Sequence, residues 1–348
     1  ERIFWPVGGK LKEKAVWTWR RSMEMEKQKI WKERLAFPSY FGEVPMEAVA
    51  WHPPGAPRAM LVLVHGMQEH VERYEHLAAA LTRAGFLVCG YNQLGHGGSL
   101  LDGRGGILPD GARAGHLAAD CRRFLRGMRR EHPGLPCFLM GHSFGSFVVR
   151  AALTDRHLAS SLNGVILSGT AGESVGLRCF ALPATRLLAG IFGPECQSAA
   201  YDRLANFTFA RHFPGETSPH RWVSSLAAEV EAFDTGPKTG FVLSLGAYRA
   251  VLETLALVSG PRWAGQVESS LPVLLLSGAC DPVGENGRGV RQVAAWLLEA
   301  GTRDLTLHLE PGARHELLRE PCRERILLLI QRWMGERLPD TNPNVRRT

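Results

Sequence analysis

From residue 44 onward, short apolar runs alternate with segments whose apolar positions recur at helical spacing. "VPMEAVAW" (44–51) alternates as a half-buried strand does, and "HPPGAPR" then breaks the chain as a loop. "AMLVLV" (59–64) is continuously apolar, which fits a strand buried on both faces, and a helical pattern follows near 72–84. "FLVCGY" supplies the next strand. A glycine-rich loop leads from it to a helix near 113–131. "CFLM" precedes a helix near 144–156, "GVILS", "PVLLLS" and "LTLHLE" read as three more strands, and a last amphipathic helix runs near 321–335. Strands alternating with helices of this length predict a mainly parallel central sheet flanked by helices. Residues 171–265 interrupt the alternation. They carry apolar-faced segments but no clear buried strand, and so predict a mostly helical insertion between two strands.

The first 35 residues depart from this pattern. They hold ten Lys or Arg against five Glu, and four of the nine tryptophans (Trp5, Trp17, Trp19 and Trp31). Composition from about Lys14 to Leu35 predicts a helix with Val16, Trp19, Met23 and Ile30 near one face. Two readings fit such a leader: peripheral contact with a membrane surface, or packing against the protein's own body or a loose segment. The expected organisation is a leader over 1–35, a core over 36–170 and 266–338, the insertion over 171–265, and a loose tail over 339–348.

Net charge changes little in this picture. Of the formal +7, +5 sits in the leader, so the remainder is nearly neutral and a nucleic-acid partner is not expected. No apolar run approaches the roughly 20 residues of a membrane span. No charged segment followed by an apolar one opens the chain, which favours a cytoplasmic protein, peripheral at the membrane if the leader binds there. The seven cysteines show no metal spacing. Cys89, Cys137 and Cys280 lie in or beside apolar runs and read as small reduced hydrophobes.

Candidate chemistry centres on "GHSFGS" (141–146). Gly-x-Ser-x-Gly alone is a short pattern. Here it follows a strand and opens a helix, the setting in which a sharp turn holds a nucleophilic serine clear of the sheet. The N–H of Phe144, at the start of that helix, is a natural oxyanion donor. A second donor is expected from the loop after "AMLVLV", where "HGMQEH" offers the N–H of Met67. Ser143 needs a base. His142 adjoins it on the turn and points away, and His308 lies within a strand. His315, in "PGARHELL" beyond the last strand, is the expected base, and Asp281, in "GACDPVG" after the preceding strand, is the expected orienting acid. The order Ser, Asp, His is the one this fold class uses.

These segments resemble the monoacylglycerol lipase and lysophospholipase group of α/β-hydrolases over roughly residues 37–335. "HGMQEHVERYEHLAAALTRAGFLV" is similar to the group's HGxxEHxxRY…L…G pattern, and "LGHGGS", "PCFLMGHSFGS", "GACDPVG" and "RHELL" match further segments. The resemblance implies the α/β-hydrolase fold, Ser143, Asp281 and His315 as triad, Met67 and Phe144 as oxyanion donors, and residues 171–265 as a cap lining an acyl pocket. It implies neither metal nor organic cofactor. His65, His70, Arg73, Tyr74 and His96 read as braces of the loop that carries Met67. Asn92 departs from the Asp that relatives often carry there, which bears on a local loop contact. The function expected is a serine hydrolase of lipid esters such as monoacylglycerols or lysophospholipids. A peptidase or acyltransferase on the same fold, or a catalytically silent interaction protein, are the alternatives.

Overall fold

A computed structural model describes residues 22–25, 31–42, 44–100, 102–173 and 176–339. Nine strands form one sheet: β1 (Ser22–Met25), β2 (Trp31–Pro38), β3 (Pro45–His52), β4 (Ala59–Val64), β5 (Phe86–Tyr91), β6 (Cys137–His142), β7 (Gly164–Ser168), β8 (Val273–Gly278) and β9 (Leu305–Glu310). Their spatial order is β1-β2-β3-β5-β4-β6-β7-β8-β9. The pairs from β5 through β9 are parallel and those among β1, β2, β3 and β5 are antiparallel. Every residue of β4, β5, β6, β7 and β8 is buried, as their unbroken apolar runs require of a sheet covered on both faces.

The helices are α1 (Glu75–Arg83), α2 (Ala114–Glu131), α3 (Phe144–Ala152), α4 (Arg156–Ala159), α5 (Leu182–Phe192), α6 (Ala199–Ala210), α7 (Ala227–Thr235), α8 (Leu245–Leu257), α9 (Pro261–Ala264), α10 (Arg288–Glu299) and α11 (Arg323–Gly335). On one face of the sheet, α2, α3 and α10 pack into a large core with Phe124, Val148, Leu139 and Val293. On the other, α1 and α11 cover Leu61, Phe138 and Leu274 with Leu77, Ile330 and Trp333. The sequence pattern passed over α10. Its Val290, Val293, Ala294 and Leu297 do recur at helical spacing, and all four are buried.

The leader expectation needs correction where the structure describes it. Residues 22–25 and 31–35 are strand, not helix. Helix-favouring composition is outweighed here by a period of two. Leu35 and Phe37 point into the core, whereas Lys32 and Arg34 reach Glu72, Glu75 and Glu47. Trp5, Trp17 and Trp19 lie outside the described residues.

Between β7 and β8 run α5 to α9, with no strand in any described residue. The later part of this insertion is bolted to the body: Leu243, Ala247, Ala250, Val258 and Trp263 belong to the main core cluster. Arg150 of α3 is the fastener. It is fully buried with no carboxylate paired to it among the described residues, and burial lowers its pKa to about 9. Its guanidinium donates to Ala171 O (2.7 Å), Thr170 Oγ1 (3.2 Å) and Val258 O, and lies 4.3 Å from the centre of the Trp263 ring. Trp263 Nε1–H returns a bond to Arg150 O at 2.8 Å. Arg150→Ala would strand these carbonyls and open a cavity, so a loss of about 3–5 kcal/mol is expected in denaturant unfolding. A loss below about 1 kcal/mol would show that the carbonyls find other partners.

Candidate active site

Ser143 stands between the last residue of β6 and the first of α3, at φ 51° and ψ −124°. A side chain in that region costs about 1–3 kcal/mol, so the surroundings must impose it. They do so by contact. A methyl group on Gly145 would overlap the carbonyl oxygens of Val64 and His65, and one on Gly141 would lie 2.7 Å from Ser146 Cα. The two glycines thus let α3 begin against the end of β4. Ser143 N–H donates to Ser168 O at 2.8 Å, and Ser146 N–H returns to Ser143 O at 2.9 Å. Phe144 N–H, in the first turn of α3, has no acceptor among the described residues.

Asp281 follows β8 and His315 follows β9, and the structure brings them together: His315 Nδ1 lies 2.9 Å from Asp281 Oδ2. Val283 N–H donates to Asp281 Oδ1 at 2.9 Å and Ser277 Oγ–H to Oδ2 at 3.2 Å. Burial disfavours the Asp281 carboxylate, but His315 and the Val283 N–H outweigh it and hold its pKa below the usual value. Burial likewise opposes charge on His315. Asp281 reverses that effect and raises the imidazole above 6.5. His315 Nε2 is buried and has no hydrogen-bond partner among the described residues. One face of the base packs on backbone, since a methyl group on Gly169 would sit 2.9 Å from His315 Cε1. Trp222 of the insertion lies on the ring, with centroids 5.0 Å apart. His142 is 4.8 Å from His315, centroid to centroid, and burial together with His315 drives its pKa to about 3. It is a neutral neighbour that packs the base in place.

The loop after β4 is braced by groups whose bonding fixes their protonation. His65 Nδ1 lies 2.7 Å from Gly66 O and must donate, so Nε2 accepts from Gln93 N–H at 2.9 Å. His96 Nδ1 donates to Leu94 O, and its Nε2 accepts from Gln68 N–H at 3.2 Å. Both imidazoles are therefore neutral, and burial depresses both, His96 to about 4. Glu69 accepts from Gly66 N–H and from Tyr74 Oη–H (2.9 Å), and Arg73 bridges Glu69 to Glu316, the neighbour of the base. With one guanidinium between two buried carboxylates, burial and Glu316 raise the Glu69 pKa, whereas Arg73 holds Glu316 low against its own burial. Sequence reasoning missed Glu316, because nothing local announces a partner 243 positions away, and it did not single out Glu69, although its partners Gly66, Arg73 and Tyr74 lie within five residues. His70 is a weaker brace; its nearest carboxylate, on Glu72, is 3.9 Å away. Among the loop residues Met67 is half-buried, and its N–H has no acceptor among the described residues.

Asn92 resolves its own departure from the expected Asp. Its Oδ1 accepts from Val71 N–H at 2.8 Å while Nδ2 donates to Glu47 Oε2 at 2.6 Å. An Asp there would set two carboxylates face to face. Asn92→Asp should cost about 1–3 kcal/mol in thermal or denaturant unfolding. Glu47→Gln in the same chain should recover most of it, and failure to recover would remove Glu47 as the cause.

The chain is similar to known hydrolases over most of its length. Residues 55–322 match the family model Hydrolase_4, described as serine aminopeptidase, S33. A monoglyceride lipase from Rattus norvegicus is 26% identical over 294 residues, covering 83% of this chain and 86% of that protein. A monoacylglycerol lipase from Mycolicibacterium smegmatis is 27% identical over 295 residues, covering 83% and 92%. A thermostable carboxyl esterase from Bacillus coagulans, solved in complex with glycerol, superposes with a TM-score of 0.82 at 26% identity, over 88% of this chain and 99% of that one. With a serine on a strained strand-to-helix turn after β6 and an Asp–His pair beyond the ends of β8 and β9, the chain belongs to the Hydrolase_4 (S33) family of α/β-hydrolases.

Proposed function

We propose that the protein hydrolyses carboxylic esters of lipids, with monoacylglycerol or lysophospholipid as substrate, through an acyl-enzyme on Ser143. The enzyme class is carboxylic ester hydrolase, in keeping with the lipases and esterase it resembles. The serine mechanism is supported by the elbow at Ser143 together with a buried imidazole, beyond the end of β9, whose Nδ1 is tied to Asp281 and whose Nε2 has no partner among the described residues. Ser143 Oγ attacks the ester carbonyl and passes its proton to His315 Nε2, while Asp281 holds the tautomer and stabilises the imidazolium. The N–H groups of Met67 and Phe144 receive the oxyanion. Collapse expels the alcohol, protonated by His315. Water then adds to the acyl-enzyme with His315 again as base, releasing the acid and free Ser143.

The lipid reading rests on what faces this machinery. Met67 and Val283, each beside a residue of the site, pack with Ala210, Trp222, Val223 and Phe233 of the insertion, which gives an acyl chain an apolar wall. We take residues 171–265 as a cap on this ground. Leu187, Ile191, Phe192, Leu204 and Phe207 of α5 and α6 are exposed, so the outer side of the cap is apolar as well. A surface of that kind suits contact with aggregated lipid. An aminopeptidase needs an uncommitted carboxylate to hold the substrate's ammonium. Of the buried carboxylates around His315, Asp281 is tied to its Nδ1, and Glu69 and Glu316 are both engaged by Arg73.

Ser143→Ala and His315→Ala are each expected to reduce ester turnover by at least about 10⁴-fold, with Asp281→Asn close behind. Monoacylglycerols and lysophospholipids should be turned over in preference to short esters, and aminoacyl amides hardly at all. Preference for the amides, or wild-type turnover by Ser143→Ala, would overturn the reading. The pH dependence has a definite sign. Catalysis needs neutral His315, and Asp281 raises its pKa, so the acid limb of kcat/KM should centre above 6.5. In Asp281→Asn the limb of the residual activity should move to lower pH.

A further inference from the structure

The cap does more than wall a pocket, because a string of buried polar side chains runs through it from one half of the site to the other. Gln68, next to Met67, is almost fully buried and sits at φ 57°. Its N–H is held by His96 on the core side. Its carbonyl accepts from Gly240 N–H of the insertion at 3.0 Å. Its side-chain amide donates to Phe241 O (2.8 Å) and to Asp202 Oδ1 of α6 (3.0 Å). Asp202 Oδ1 also takes the Tyr248 hydroxyl, and Asp202 Oδ2 accepts from Asn206 Nδ2, one turn along α6, at 3.2 Å. Asn206 Oδ1 in turn accepts from Trp222 Nε1–H at 3.3 Å, and Trp222 is the residue whose ring lies on His315.

We infer that Gln68, Asp202, Asn206 and Trp222 form a positioning chain by which the seated cap sets both the oxyanion loop and the catalytic imidazole. The inference rests on the serine-esterase reading above, and it makes the cap part of the catalytic geometry as well as of substrate binding. The physical ground is that each member is buried, where a lost partner cannot be replaced by water. Gln68 is the critical link. Of its four bonds, one is to His96 of the body and three are to Gly240, Phe241 and Asp202 of the insertion, and Gln68 directly follows Met67. Without those bonds, Gln68 would be held through its N–H by His96 alone. The oxyanion donor is thus fixed from the body through His96 and from the cap through Gly240, Phe241 and Asp202.

The test uses the full chain and a soluble short-chain ester, whose acyl group is too small to depend on the pocket wall. Gln68→Met keeps length and apolar bulk but removes both amide donors. A displaced oxyanion N–H should lower kcat by about 10- to 100-fold. KM should stay within about twofold, and the inhibition constant of an alkyl trifluoromethyl ketone, which forms the tetrahedral oxyanion, should rise by the same factor as kcat falls. Asp202→Leu should reproduce both effects, and the double variant should lose no more than the worse single one, since both cut the same chain. Thermal unfolding is followed alongside. If Gln68→Met does not fold, Gln68→Asn carries the same expectation, because its shorter amide cannot reach Asp202. Turnover and ketone inhibition within twofold of wild type would overturn the chain. So would a loss confined to KM for long-chain substrates, which would leave Gln68 as pocket lining. Ser143→Ala measured in parallel keeps the two readings apart: if it is inert while Gln68→Met is unaffected, the positioning chain alone fails.

Discussion

Everything in the site depends on how closely α3 can approach the end of β4. At Gly145 the helix backbone lies against the Val64 and His65 carbonyls, with no room for a β-carbon, and Gly141 gives the matching clearance on the strand side. That approach forces Ser143 into a backbone region side chains avoid, and so lifts its hydroxyl off the sheet. It also points the first N–H of α3 outward, because a helix cannot bond its own first turn. The parallel order β4-β6-β7-β8-β9 then brings the ends of all these strands to one side, and the loops carrying Met67, Asp281 and His315 arrive there as a consequence of topology. Strain at one residue is sustained by packing spread over five strands.

Around that turn the protein assigns different states to one kind of side chain. His65, His96, His142 and His315 are all buried, and burial pushes every imidazole toward neutrality. Only His315 goes the other way, because Asp281 meets its Nδ1. His65 and His96 are each clamped between a carbonyl that needs a donor and a backbone N–H that needs an acceptor. No second charge can therefore form on these two beside the base. Glu69 and Glu316 repeat the idea with carboxylates: the single guanidinium of Arg73 holds the Glu316 pKa low, while burial and Glu316 raise that of Glu69.

The hydrophobic pattern made the parallel strands legible, since a strand covered on both faces has nowhere to put a polar side chain and must be written as an unbroken apolar run. Ser143 and Asp281 could be picked out because each lies where such a run ends, and His315 because it lies beyond the alternating strand LTLHLE. β2 was not legible in the same way. Its polar face is occupied by Lys32 and Arg34, whose carboxylate partners are distant in sequence, and the local composition of that segment favours a helix. The polar interior of the cap was hidden for a related reason. Asp202 and Asn206 sit one turn apart on α6 and would look like a solvated stripe on any helix, until folding sets Gln68 and Trp222 against them. Periodicity reveals which face a residue shares but not what that face meets.

That difference matters most at Met67. Of the three N–H groups from Gly66 to Gln68, the outer two are bound, one to Glu69 and the other to His96. The Gly66 and Gln68 carbonyls are bound too, to His65 and to Gly240. The peptide N–H of Met67 is thus held between saturated neighbours and left without an acceptor of its own among the described residues. In the mechanism proposed above, a donor fixed in this way would not reorganise when charge develops on the substrate, which is the condition under which a single hydrogen bond contributes most to a transition state. Its fixing comes from both sides, His65, Glu69 and His96 from the body and Gly240 from the insertion. The cap and the catalytic core are, on this view, one piece of chemistry divided between two parts of the chain.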